Sequence, residues 1–127
     1  MKEALTALLA RQLPLPGVAA WSARLPDHSL VHQSYSDWFT EDQLDQILGR
    51  LTLAVDGLSY HGIQPLRLSW VFEHARIHLS VRPDGPCLAF YVENRTSFSM
   101  GKIESLFDEF AALPGGHDAS PADPPGK

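Results

Sequence analysis

The sequence predicts a single α/β domain of the α+β kind, with elements in the order α-β-β-α-β-β-β-α and a five-stranded, mostly antiparallel sheet between helical layers. Three observations predict it. A long run with helical spacing fills the middle of the chain, from about Glu41 to His61. Residues 66–81 then switch to a two-residue period, the signature of strands. The next strand, about Cys87 to Glu93, is apolar on both faces, as expected where a packed layer lies on each side.

The first helix, about Lys2 to Gln12, places Leu5, Leu8 and Leu9 on one face, and Pro14 and Pro16 end it because proline cannot continue the hydrogen-bond ladder. Two short strands follow, about Gly17 to Arg24 and Leu30 to Tyr35. Between them Leu25-Pro26-Asp27-His28-Ser29 has ordinary turn chemistry, so the pair should form a hairpin. Thr40 opens the long helix with Gln43 three residues on, a capping box, and Glu41 and Asp42 complement the dipole of its first turn. Its core stripe is Leu44, Ile47, Leu48, Leu51, Val55 and Leu58; burying six such side chains contributes about 9 to 18 kcal/mol as an upper bound. Gly62 is placed to terminate it.

Leu66, Leu68, Trp70 and Phe72 alternate along one strand, and Ala75, Ile77, Leu79 and Val81 along the next, which makes a second hairpin. Arg82-Pro83-Asp84-Gly85-Pro86 turns the chain into the doubly apolar strand, which should be central. A last helix, capped by Ser97 or Ser99, carries Ile103, Leu106, Phe107, Phe110 and Leu113 and stops at Pro114-Gly115-Gly116. Residues 1–114 therefore form the domain. Residues 115–127 have nothing to bury and are expected to be a disordered tail.

With 10 Lys and Arg against 15 Asp and Glu in 127 residues, the chain lacks the positive field that gathers phosphates, so no nucleic-acid partner is expected. The single cysteine, Cys87, sits in an apolar run and is expected to be a buried thiol in a reducing compartment. No apolar run reaches the roughly 18 residues of a membrane span, and Glu3 and Arg11 bracket too short a stretch for a signal peptide. A cytoplasmic protein without a membrane partner is expected.

Catalytic patterns are weak. Gly57-Leu58-Ser59-Tyr60-His61-Gly62 sets a serine and a histidine between glycines, but a nucleophile elbow needs glycine at position 61 and a strand leading into it. Glu73-His74 with His78 straddles a strand turn, whereas the zinc pattern H-E-x-x-H needs one helix face, so surface histidines on a hairpin are expected. The carboxylate pairs Asp42 with Asp45 and Asp108 with Glu109 fall on polar helix faces and read as solvated. No phosphate-binding glycine loop occurs. The expectation is a protein that is not an enzyme and has no cofactor and no metal. Among the tryptophans, Trp21 and Trp70 read as packing; Trp38, in the loop Asp37-Trp38-Phe39, is free either to pack or to bind once Phe39 staples onto Leu44.

A second stripe on the long helix, Gln46, Gly49, Arg50, Leu53, Asp56, Gly57 and Tyr60, lies away from the core face. Its two interior glycines cost about 2 kcal/mol relative to alanine, which close approach of another backbone would offset.

Leu13-Pro14-Leu15-Pro16-Gly17-Val18 entering the first strand, the leucine-rich helix ending Tyr60-His61-Gly62, and Arg82-Pro83-Asp84-Gly85-Pro86-Cys87-Leu88-Ala89-Phe90 give the chain, over about Lys2 to Leu113, a pattern that resembles the Roadblock / dynein light chain family, which has a profilin-like fold. The first hairpin departs from it, with Pro26-Asp27-His28 where that family usually has Asp-Gly. The resemblance implies a homodimer made through the long helices and the middle strands, so that the interface would hold Gly49, Arg50, Leu53, Gly57 and Tyr60 with Arg67 and Ser69. It also implies a platform for another protein, such as a small Ras-like GTPase or a motility or trafficking assembly, acting as a regulator or scaffold. Two other readings stand beside it: an acidic dimeric secretion chaperone, which would place three strands before the long helix and two after, and a small-molecule sensor or enzyme with a polar-lined cavity between sheet and helix.

Overall fold

The computed structural model describes residues 1–94 and 97–114; the expected tail, 115–127, lies outside the described residues. Helix α1 (Lys2–Gln12) precedes β1 (Val18–Arg24) and β2 (Leu30–Ser34). Then come α2 (Glu41–Tyr60), β3 (Arg67–Val71), β4 (Ala75–Val81), β5 (Cys87–Glu93) and α3 (Met100–Ala111), in the expected order. The sheet order is β2-β1-β5-β4-β3, with every neighbouring pair antiparallel.

Strand alternation divides the core in two. Trp21 and Ala23 of β1 and Leu88, Phe90 and Val92 of β5 meet the apolar faces of α1 and α3, including Leu5, Leu8, Leu9, Ile103 and Phe107. Ala20, Ile77, Leu79, Val81, Cys87, Ala89 and Tyr91 form the opposite face, under Leu44, Leu48, Leu51 and Val55 of α2. Both faces of β5 are covered, which is why its sequence shows no alternation and why it lies at the centre of the sheet.

Helix α2 begins at the capping box foreseen: the Thr40 hydroxyl accepts from the Gln43 N–H and the Gln43 side chain accepts from the Thr40 N–H. Ser99 caps α3 by accepting from the Lys102 N–H. Gly17 has a left-handed φ of 85°, and a β-carbon there would lie 2.7 Å from that of Phe98, so only glycine fits between α1 and β1.

Several packing expectations shift. Ile47 and Leu58 are only half-buried, at the margins of the α2 stripe, while Thr52 is buried and its hydroxyl donates to the Leu48 carbonyl at 2.9 Å. Trp70 is half-buried too, because α2 lies over β1 and β2 and leaves the face of β3, the sheet's edge, partly open. Phe39 joins the α2 core, with its ring 5.2 Å from that of Tyr91.

Candidate interaction surface

Two features of the surface hold the expected interface residues: the outer face of α2 and the edge strand β3. On α2, Arg50, Gly57 and Tyr60 are exposed, Gly49 is half-buried, and Leu53 is 72% and Tyr60 87% exposed. A β-carbon added at Gly49 or Gly57 would meet nothing within 4 Å, so nothing among the described residues requires glycine at either position. Asp56, on the same stripe, is not simply solvated. Its carboxylate takes two hydrogen bonds from the buried Arg24 guanidinium, at 2.9 and 3.1 Å, and Arg24 also donates to the Gly85 carbonyl at 3.0 Å. The bond from Arg24 holds the Asp56 carboxyl below its ordinary range.

Arg67 and Ser69 come to the same edge in a different way. The Val81 N–H donates to Leu66 and the Phe72 N–H to Ala75, and bonded and non-bonded pairs alternate along an antiparallel ladder. Arg67, Ser69 and Val71 therefore turn their backbone N–H and C=O groups away from β4, towards the open edge. Their side chains leave by the face opposite α2. Arg67 bonds Glu104 and Asp108 of α3, with its guanidinium 4.8 Å from the Phe107 ring centre, and the Ser69 hydroxyl lies 2.9 Å from His78 Nδ1. Thus five of the seven expected interface residues share one helix face, and the other two reach the edge through their backbone.

Where the sequence suggested chemistry, the geometry offers little. The Ser59 hydroxyl lies 3.4 Å from Gln64 on the last turn of α2, and His61 caps the helix with its ring against Tyr60. His78 departs from expectation: it is half-buried beneath Phe98 rather than exposed, and Asp108 is paired with Arg67 rather than simply solvated. Among the described residues no group of three or more His, Cys, Asp or Glu could hold a metal ion. Asp45 also has a partner. His32 stands between it and Ser22, 3.2 Å from the carboxylate and 2.9 Å from the hydroxyl. A serine, a histidine and an aspartate in line suggest a nucleophile, but Ser22 is wholly buried beneath α2 and no substrate can reach it. The alternation of β1 and β2 signals such a pairing only once the register, Ser22 opposite His32, is known. On the same face, burial pushes the Tyr91 phenol up to about 12; Ser22 opposes this in part, though no hydrogen bond of good geometry joins the two.

Two recesses meet at Phe39. One, about 440 Å³, is an apolar groove at the open end of the sheet between Trp38, Ile47, Phe72 and Ile77. The other, about 860 Å³, is a broad depression open to solvent at the end of β2, with Asp37, Glu41 and Glu93 on its walls. Trp38 and Phe72 are 50% and 52% exposed, and the Trp38 ring stands edge-on to His74 at 6.0 Å. The sequence singled out Trp38 but not the groove, whose walls come from three separated segments.

No protein-family model matches the chain, and no curated protein matches it. Solved structures do. The chain is similar to a gliding protein, MglB, from Thermus thermophilus (13% identity, 87% of this chain and 84% of that one, TM-score 0.60). It is similar to an MglB structure with a tetrameric arrangement (13% identity, 87% and 84%, TM-score 0.61). It is also similar to a Roadblock/LC7 domain from Streptomyces avermitilis (12% identity, 86% and 92%, TM-score 0.53). The chain has the Roadblock/LC7 fold.

Proposed function

We propose that this chain, with its Roadblock/LC7 fold, is a non-enzymatic, cytoplasmic homodimer that regulates or scaffolds other proteins, with a small Ras-like GTPase or a motility or trafficking assembly as its partner. The observation that carries the reading is the exposed α2 stripe with its two unhindered glycines, together with a β3 edge that no strand pairs among the described residues. A helix that keeps Leu53 and Tyr60 in water, and two glycines in its interior, carries a cost of about 2 kcal/mol that its own protomer does not offset. Across a two-fold axis the same stripe meets itself, the glycines admit close approach, and the N–H and C=O groups of Arg67, Ser69 and Val71 acquire partners.

The fold's likeness to MglB, a gliding protein, and to a structure with a tetrameric arrangement supports the motility and self-association parts of this reading. Two strands before α2 and three after speak against the secretion chaperone, which has the reverse. The open shape of the depression of about 860 Å³ speaks against an enclosed ligand site there.

Sedimentation at matched concentrations tests the dimer. Leu53→Glu puts like charges opposite each other near the axis and should yield monomer from a dimeric wild type. On a merely solvated face the same change should cost within about 0.5 kcal/mol and leave the mass unaltered. A wild type that sediments as a 14.0 kDa monomer would remove the proposal's foundation.

A further inference from the structure

We propose that the apolar groove between Trp38 and Phe72, with the acidic depression beside it, is a docking site for a segment of a partner protein that pairs a large apolar side chain with nearby lysine or arginine. The inference goes beyond the dimer, since it concerns the end of the sheet where α2 begins. The groove is walled by Trp38, Phe39, Ile47, Phe72 and Ile77, and its volume of about 440 Å³ admits a leucine- or phenylalanine-sized side chain with room for backbone. Trp38 and Phe72 are each half exposed, and aromatic side chains lining a concave apolar site are the usual anchors of an interface.

Charge selects the occupant. Phe39 lines both recesses, so the groove adjoins, across that side chain, the depression walled by Asp37, Glu41 and Glu93. None of these three carboxylates has an ion pair or side-chain hydrogen bond among the described residues. Glu73, on the groove wall, lies 3.7 Å from His74 and is almost wholly exposed. Asp42, in the first turn of α2, adds a further exposed carboxylate. Arg50 lines a separate recess with Trp38, Phe39 and Ile47, and Arg76 is engaged by the Asn94 side chain, to which it donates at 3.1 Å, and by the Phe98 ring. A segment with its apolar residue between Trp38 and Phe72 brings neighbouring side chains within a Debye length, about 8 to 10 Å, of this field, and cationic ones are held there.

The test uses short synthetic peptides and the full chain carrying Leu53→Glu, so that its outcome does not depend on the dimer. A peptide alternating lysine with leucine should bind and move Trp38 emission to shorter wavelength. Glutamate–leucine and lysine–serine peptides of the same length should bind at least about tenfold more weakly. Trp38→Ala and Phe72→Ala, each tested alone because each side chain is half exposed, should weaken the lysine–leucine peptide by a similar factor. Asp37→Asn with Glu41→Gln should weaken it and flatten its salt dependence, whereas Glu3→Gln with Glu109→Gln, exposed on α1 and α3, should leave it unchanged. Equal binding of the glutamate–leucine peptide, or indifference to the groove variants, overturns the proposal. It is also overturned if Trp38→Ala or Phe72→Ala, made in the otherwise native chain, converts a dimer to monomer, for then a second copy fills the groove.

Discussion

His28 is the one non-glycine among the described residues with a left-handed backbone, φ 71°. The turn holds it there: its N–H donates to the Leu25 carbonyl at 2.8 Å, and the Asp27 carboxylate accepts from the Ser29 N–H and hydroxyl at 3.0 and 2.6 Å. Those bonds also keep the Asp27 carboxyl below its ordinary range. A β-carbon in that region costs roughly 1 to 2 kcal/mol, partly offset by the greater freedom glycine has when unfolded. His28→Gly should therefore raise the urea midpoint, by about 1 kcal/mol of stability, with an unchanged slope. The departure from Asp-Gly was readable in the sequence; its backbone cost was not, since Pro-Asp-His admits several turns. His78 makes a second case. Burial first, then Arg76, hold its imidazole below the usual value, with Glu104 pulling the other way. Ser69 faces it from β3, and Phe98 packs on its ring. Because the fold favours the neutral form, this contribution to stability is whole above about pH 6.5 and is lost as pH falls through the depressed folded value. Melting temperature should fall between about pH 7 and pH 5, and His78→Gln should fall less steeply; parallel curves would assign the loss to other groups.

At the scale of elements, α2 was the most legible because its signals are local. The capping box and the apolar spacing lie within the segment; the structure has the box at Thr40, ends the helix within a residue of the expected place and buries Leu44, Leu48, Leu51 and Val55 of the stripe. What the helix does on its flanks was not legible. Asp45 read as a solvated carboxylate and Asp56 as part of the outward stripe, yet they hold His32 and Arg24, whose places depend on the register of β1 against β2. The groove was hidden for the same reason, as Trp38, Ile47 and Phe72 converge only once α2 is laid across the sheet. The two α2 glycines allow a test that separates propensity from pairing. Since an added β-carbon meets no atom in the protomer, Gly49→Ala with Gly57→Ala in the Leu53→Glu background should stabilise the chain by roughly 1 to 2 kcal/mol. In the native background the same pair should weaken self-association, seen as a rise in the sedimentation dissociation constant. Stabilisation without weaker association would mean that the helices do not approach there.

For the whole molecule, the proposed self-association would couple stability to concentration by mass action. The wild type should melt higher as protein concentration is raised, whereas Leu53→Glu should melt at one temperature across the same range, a comparison that calorimetry makes directly. The element order and the central place of β5 were legible, because composition alone marks a strand covered on both sides. The two hairpins were legible as well; which strand of the first would lie beside β5 was not, since alternation says which face is buried but not which neighbour is bonded. That order has a consequence in time. The strand that joins β1 to β4 is the last of the five to leave the ribosome, and its pairing of Val18 with Val92 spans about 70 residues of chain. Until Cys87–Glu93 arrives, the β1–β2 hairpin and the β3–β4 hairpin are separate pieces, each with one long edge waiting for the same segment. The sheet is therefore complete only once β5 is in place, and until then both hairpins expose an edge open to pairing with other chains.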